Sequence, residues 1–387
     1  MVATPFQLLL RHQTGARVGR LTTAHGTVHT PAFMPIATKG AVRGLPTASL
    51  ADLQRQIDPT TDPIVLSNTY HLLLRPGGDQ LRALGGARAL MHWPGVMLTD
   101  SGGFQIFSLS RLRNIDADGV TFQSHIDGRA IRITPEDSME TQSAIASSIW
   151  MCLDWFPGFP ASDQHIRESV DRTTVWAQRC RTWHQQWRSQ DPQHQSLLFG
   201  IVQGGLDRTM RQESAAALQA IGFDGYAIGG LAVGEPPETM LDTAAFTARL
   251  LPDQQIRYLM GVGTPDQMLQ AIRSGIDLFD CVLPTRNARH GSVFISDPAS
   301  AGQLVDTDLQ KVYYQKLPVT SAALSLDTQV LDPYCHCPTC SSGVSRAYIR
   351  HLFSVHEMVA MTYTTTHNVW FYCQLMAQIR QILQASL

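Results

Sequence analysis

TPEDSMETQSAIASSIWMCLD, residues 134–154, contains one whole unit of the fold. Thr134 stands where a helix N-cap is wanted. Pro135 lacks an N–H and suits the first helical position, and Glu136 and Asp137 put negative charge in the first turn. The helix this predicts runs into SSIWMCLD, an apolar stretch with no polar alternation, closed by a carboxylate at Asp154. A continuous apolar run of this length, following a helix, predicts a strand buried on both faces.

The same pattern recurs outward in both directions. PIVLSN ends at Asn68 and GVMLTD at Asp100. LLFGIVQG supplies Gln203, GYAIGG ends at Gly230, RYLMGVG at Gly263, and GIDLFD at Asp280. Helical segments such as RTMRQESAAALQAIG and PDQMLQAIRSG lie between them, each finishing near a glycine. Apolar strands alternating with amphipathic helices predict a parallel sheet covered by helices, and seven such runs fit a (β/α)8 TIM barrel. No GxGxxG follows the first strand, which argues against a dinucleotide fold. In a barrel, polar residues at C-terminal strand ends face one mouth, so Asn68, Asp100, Asp154, Gln203, Gly230 and Asp280 are expected to converge. Ahead of these units, FQLLLRHQTGARVGRLTTAHGTVHTPAFMPI reads as short strands with turns at TGAR and AHG, an antiparallel addition at the bottom or edge of the barrel.

The bulk numbers agree. A chain of 387 residues, 44% hydrophobic, can bury one large core. No apolar stretch approaches about 18 residues, so no membrane span is expected, and the N-terminus has no secretory pattern. The net charge is −2, so any nucleic-acid contact must come from a local basic patch. Seven cysteines, three of them clustered, fit a reducing cytoplasm and a metal site better than a disulfide framework.

PYCHCPTCSS sets Cys335, Cys337 and Cys340 in a C-x-C-x2-C pattern, and His367 opens a segment read as a helix, HNVWFYCQLMAQIRQIL. A Cys3His set completes a zinc tetrahedron and leaves no position for water, so the expected Zn²⁺ is structural. His336, His351 and His356 compete for the fourth position. The division expected is a barrel over about 30–330 and 368–387, with a zinc-binding subdomain over about 331–367.

Two stretches carry the chemistry. TDSGGFQIFSLS (99–110) puts Asp100 before Ser101 and two glycines, a turn that a flat ligand can approach, with Phe104 placed to cover a planar ring. LFDCVLPTRNARHG (278–291) puts Asp280 at a strand end, followed by a basic loop. Paired carboxylates across one mouth suit glycosyl chemistry, in which one attacks the anomeric carbon and the other moves protons. Asp154 can take N–H donors of a guanine-like ring, and the amides of Gln203 and Gly230 can meet a carbonyl. Each acid also has a plainer reading: Asp100 as a turn former, Asp280 as a helix N-cap.

With these residues in view, the chain resembles the tRNA-guanine transglycosylases, the queuine tRNA-ribosyltransferase family. The likeness covers nearly the whole length, through TPAFMPIAT, SNTYHLLLRPG, TDSGGFQIFSLS, IVQGG, AIGGLAVGE, YLMGVGTP, LFDCVLPTRNARHG, the CxCxxC and TTHN. The resemblance implies a pentosyltransferase of queuosine biosynthesis that exchanges guanine at the wobble position of tRNA. Asp280 is then the nucleophile and Asp100 the general acid/base. Asp154, Gln203, Gly230 and Leu231 read the base between Phe104 and Met260, with Ser101 and Asn68 in support, and Arg286 and Arg289 hold the anticodon loop. It also implies a homodimer. LPTRNARHG and GGLAVGE look bacterial, which implies a 7-deazaguanine precursor (preQ1) as incoming base rather than queuine. Trp155-Phe156 stands where bacterial members usually have Glu-Cys, so Phe156 alters the pocket wall, and Phe104 replaces the more usual Tyr. The alternatives are a retaining glycosidase acting on free sugars and a non-catalytic RNA-binding subunit.

Overall fold

The computed structural model describes residues 4–103 and 113–385. Three antiparallel strands come first: β1 (Phe6–Arg11), β2 (Arg17–Thr23) and β3 (Gly26–Thr30), ordered β1-β2-β3. Nine parallel segments then form one sheet: β4 (Ala32–Met34), β5 (Ile36–Ala37), β6 (Ile64–Ser67), β7 (Val96–Thr99), β11 (Ile149–Met151), β12 (Leu197–Val202), β13 (Gly225–Ile228), β14 (Ile256–Leu259) and β15 (Leu278–Asp280). Between β7 and β11 an antiparallel sheet intervenes: β8 (Arg113–Ile115), β9 (Val120–Gln123) and β10 (Ala130–Ile133). A final hairpin follows β15: β16 (Ser292–Ser296) and β17 (Tyr314–Pro318).

The parallel sheet closes through a proline. β4 pairs with β15 and β5 pairs with β6. Only Pro35 separates β4 from β5, so the two are halves of one stave and the nine segments make eight staves. Pro35 has no N–H for the ladder, but its carbonyl accepts from Leu66 N–H at 3.0 Å. The stretch Ala32–Ala37 is thus the first barrel stave, as the expected barrel start at about residue 30 has it, and the antiparallel addition, which the sequence reading ran on to Ile36, ends before it. Segments of three and two residues around a proline carry too little pattern to be read as a central strand.

The helix Pro135–Ile145 begins with the capping box its sequence predicts, Thr134 and Asp137 bonding reciprocally. Its buried Gln142 links the two neighbouring staves: Nε2 donates to Met151 O at 2.9 Å, while Oε1 accepts from Met151 N at 2.9 Å and from Thr99 Oγ1 at 2.9 Å. These are the last residues of β11 and β7. The antiparallel addition covers the N-terminal end of the barrel. Arg17, fully buried, donates to the Asp277 carboxylate just before β15 and to the carbonyls of Asp253 and Gln255, both at 2.9 Å.

The last helix spans Val359–Ala385, starting eight residues before the expected start at His367. The run TYTTT (362–366) argues against helix by propensity. Thr364 adapts by donating its hydroxyl to Ala360 O at 2.9 Å and to Ala288 O at 3.1 Å. His367 therefore sits inside the helix. Among the described residues, no helix is long and apolar enough to cross a membrane.

Candidate active site and metal centre

Five barrel strands each hand one chemical group to the C-terminal rim. Asn68 follows β6, Asp100 follows β7, Gln203 follows β12, Met260 follows β14, and Asp280 ends β15. Asp100 is 7% exposed. Its carboxylate accepts from Asn68 Nδ2 at 2.5 Å and from the Thr69 N–H at 2.8 Å, and its own carbonyl accepts from Thr69 Oγ1 at 2.5 Å. The short helix Thr69–Leu74 therefore starts on Asp100 and fixes the carboxylate's orientation.

Asp154 forms a second knot. Ser101 Oγ donates to one carboxylate oxygen at 2.6 Å and Gln203 Nε2 to the other at 2.7 Å. Burial pushes its pKa up to about 6, against the opposing pull of those two hydrogen bonds. Gln203 is fully buried, and its Oε1 finds no partner among the described residues. Gly230 lies against that oxygen: a Cβ there would fall 2.4 Å from Oε1, and its φ of +64° is left-handed. A buried carboxylate, an amide oxygen lacking a donor and a backbone free of side chain define a flat polar slot. A heterocycle edge offering N–H donors fits it.

Asp280 is 9% exposed. Its Oδ1 accepts from the Tyr258 hydroxyl at 2.5 Å and the Gly261 N–H at 2.9 Å, and its Oδ2 has no hydrogen bond among the described residues. Burial raises its pKa, partly offset by those donors. Tyr258 is driven well above its usual range by burial first, then by the Asp280 and Asp100 charges. Both carboxylates thus act on one phenol from staves on two sides of the mouth.

Leu231 and Phe156, which follow Gly230 and Asp154 in the chain, are buried, and Met260 is half-buried. Arg286 is exposed and Arg289 half-buried, on the helix Leu283–Arg289 that follows Asp280. Phe104 lies outside the described residues. Three contributors escaped the sequence reading. Thr69 and Tyr258 hold the two acids, and Glu235 accepts from the N–H groups of Ala232 at 2.5 Å and Val233 at 3.0 Å, shaping the turn after Leu231. Tyr258 sits inside an apolar strand and reads as core; only its position opposite a carboxylate gives it a role. A cleft of ≈550 Å³ opens at the other, N-terminal rim, near His25, Arg88 and Trp187, and none of the converging residues lines it.

Cys335, Cys337, Cys340 and His367 gather with their ligand atoms within 4.8 Å of one another. His367 Nδ1 lies 3.6 Å from Cys337 Sγ and 3.4 Å from Cys340 Sγ. Its Nε2 donates to Phe294 O at 2.7 Å, which fixes the tautomer and turns the Nδ1 lone pair toward the sulfurs. This donor set can hold a metal ion. His336, His351 and His356 are exposed and outside the cluster.

Comparison with known proteins agrees with this geometry. The family model described as queuine tRNA-ribosyltransferase matches residues 12–386. The queuine tRNA-ribosyltransferase of Moorella thermoacetica is 43% identical over 384 residues, 99% of this chain and 94% of that protein. That of Ruminiclostridium cellulolyticum is 43% identical over 99% of this chain and 95% of its own length, and that of Bacillus thuringiensis 44% over 96% and 90%. A barrel with paired acids at its mouth, a Cys3His cluster and a match over nearly its full length together make this chain a member of the queuine tRNA-ribosyltransferase family, enzymes that transfer a pentosyl group in tRNA modification.

Proposed function

We propose that this enzyme exchanges guanine at the wobble position of tRNAs with GUN anticodons (Asp, Asn, His and Tyr) for a 7-deazaguanine base, preQ1 in preference to queuine, on the route to queuosine. Asp280 Oδ2 attacks ribose C1′. The C1′–N9 bond breaks, guanine leaves with the electron pair, and Asp100 supplies the proton it takes up. The RNA is then held as an Asp280 ester. Asp100 next removes a proton from the incoming base, whose nitrogen attacks C1′ and releases the carboxylate. The observation that carries this reading is the division of labour on Asp280: one oxygen is held by two donors, and the other is left for the mouth. The held oxygen fixes the attack direction, and its two hydrogen bonds favour the ionised form and so partly offset the burial that raises its pKa.

Asp154, Gln203, Gly230 and Leu231 read the base edge, supported by Ser101 and Asn68, with Met260 and Phe104 as the stacking faces and Phe156 as a wall. Arg286 and Arg289 hold the flanking nucleotides. A splayed single-stranded base read in a pocket is the usual mode of sequence-specific RNA recognition. Cys335, Cys337, Cys340 and His367 hold one structural Zn²⁺ per subunit, in a subdomain over about 331–367 set into the barrel. The active form is a cytoplasmic homodimer.

Incubation with radiolabelled guanine and unmodified tRNA tests the reading. The wild type should incorporate label and Asp280→Asn should not. Label in the variant at the wild-type rate, or none in the wild type, would overturn it; a glycosidase or a non-catalytic subunit would incorporate none.

A further inference from the structure

The short way round the mouth from Asp280 to Asp100 crosses two staves: β15, then β4–β5, then β6, then β7. The loops after those two staves therefore lie between the two acids. The first, residues 38–46, carries Lys39 and Arg43, both exposed; the second connection opens with the helix Thr69–Leu74, which carries His71, half-buried.

The first loop is anchored. Val42 and Leu45 are buried, and Leu45 N–H bonds Val42 O at 3.1 Å. Gly44, with φ +79°, lies so close to the helix Val359–Ala385 that a Cβ would fall 3.1 Å from Met361 O and 3.2 Å from Thr365 Oγ1. The neighbouring Thr364 holds Ala288 O. One helix thus packs closely against the loop next to Arg43 and, through Thr364, holds the helix turn next to Arg289. On the other side, Gly40 faces Leu72, the residue after His71.

Among the described residues, Lys39, Arg43, Arg286 and Arg289 form no ion pair, whereas Arg82, Arg167 and Arg208 elsewhere on the surface each meet a carboxylate. Burial first, then the neighbouring Lys39, His125 and Arg43, bring the pKa of His71 down to about 4. Arg289 is likewise depressed by burial, then by Arg43 and Arg286. Like charges crowded at a rim repel one another unless a polyanion lies across them.

We infer that Lys39 and Arg43 extend the Arg286–Arg289 face into one cationic arc along the rim between Asp280 and Asp100, which takes successive backbone phosphates of the RNA strand whose base enters the mouth. This rests on the proposed function. The groups are exposed and spread along an edge, which suits a chain of phosphates, whereas one small anion would need a compact enclosed site.

The test is the salt dependence of tRNA binding by Lys39→Gln/Arg43→Gln, between about 50 and about 200 mM salt. A single-stranded RNA contact contributes about 0.7 to the slope of log K against log salt, so losing two should flatten it by about 1.4. The KM for tRNA should rise about tenfold, while kcat at saturating tRNA and the KM for guanine hold. The charge-keeping Lys39→Arg/Arg43→Lys should retain the wild-type slope. A wild-type slope in the Gln variant, or equal loss in the charge-keeping one, would overturn the arc. Guanine exchange by the wild type is scored separately: its absence would overturn the proposed function, and direct binding would still decide on the arc.

Discussion

At the scale of single residues, the site depends on carboxylates placed where water is scarce, and Asp154 shows the consequence most clearly. Its pKa of about 6 lies above the ordinary carboxylate value, so the unfolded chain ionises it first as pH rises. Any stability this group lends is present at low pH and lost as pH climbs from about 4 to about 6. A shift of that size corresponds to roughly 3 kcal/mol. Asp154→Asn cannot ionise, so the difference in unfolding free energy between variant and wild type should move in the variant's favour by up to ~3 kcal/mol over this window. Denaturant melts at pH 4 and pH 7 measure it; a flat difference would show that Asp154 does not carry the shift. The same variant loses an acceptor for ring N–H groups, so its KM for guanine should rise at neutral pH. In the wild type, that KM should rise as pH falls through 6. The sequence disclosed Asp154 because it closes an apolar run before a turn. It did not disclose Tyr258, which looks like any other buried aromatic until its hydroxyl is seen on Asp280.

At the scale of elements, the helix Val359–Ala385 is the part that the sequence described least well and that does the most joining. It carries His367 to the cysteines and Asn368 to three backbone groups: Phe294 N at 3.0 Å, Pro284 O at 3.0 Å and Ser292 O at 3.1 Å. Farther on, Tyr372 donates to Gly263 O at 2.6 Å. One helix thus ties the Cys3His cluster, the β16–β17 hairpin and the segment after Asp280 together. Its start was hidden because threonines favour strands on local grounds, and one of the compensating bonds is made to Ala288, 76 positions away. The CxCxxC spacing was legible because metal ligation is local chemistry, and the sequence reading also chose His367; the fold removed its rivals His336, His351 and His356. Cys337→Ala, or removal of metal by a chelator, should lower the unfolding free energy by several kcal/mol. Hydrogen exchange should open first in the segment around 331–367. An unchanged melting midpoint in metal-free protein would deny the cluster its structural role.

Over the whole molecule, the barrel separates stability from chemistry. The acids and the basic helix Leu283–Arg289, read from the sequence as a loop, stand at the C-terminal rim, and the N-terminal end is closed by the β1–β3 sheet through Arg17 and Asp277. Both side chains are fully buried, and Asp277 also accepts from Arg257 N–H at 2.7 Å. Removing one partner strands the other's charge, so Asp277→Ala should cost about 3–5 kcal/mol. Exchange by the molecules that remain folded should persist. A melting curve within about 1 kcal/mol of wild type would mean that water or relaxation compensates the guanidinium. The barrel itself was legible from repeated apolar runs ending in polar residues, since a strand buried on both faces has few other ways to be written. What the pattern missed was the stave split by Pro35 and the short sheet β8–β10, where brief segments and a proline weaken the periodic signal.

The most direct measurement of the central claim is to mix enzyme and unmodified tRNA, denature at once, isolate any RNA–protein conjugate and map the modified peptide by mass spectrometry. The account predicts an RNA-bearing ester on the peptide containing Asp280, absent from Asp280→Asn and dispersed when guanine is added before denaturation. An ester on Asp100 instead, or rapid exchange with no conjugate from any residue, would contradict it.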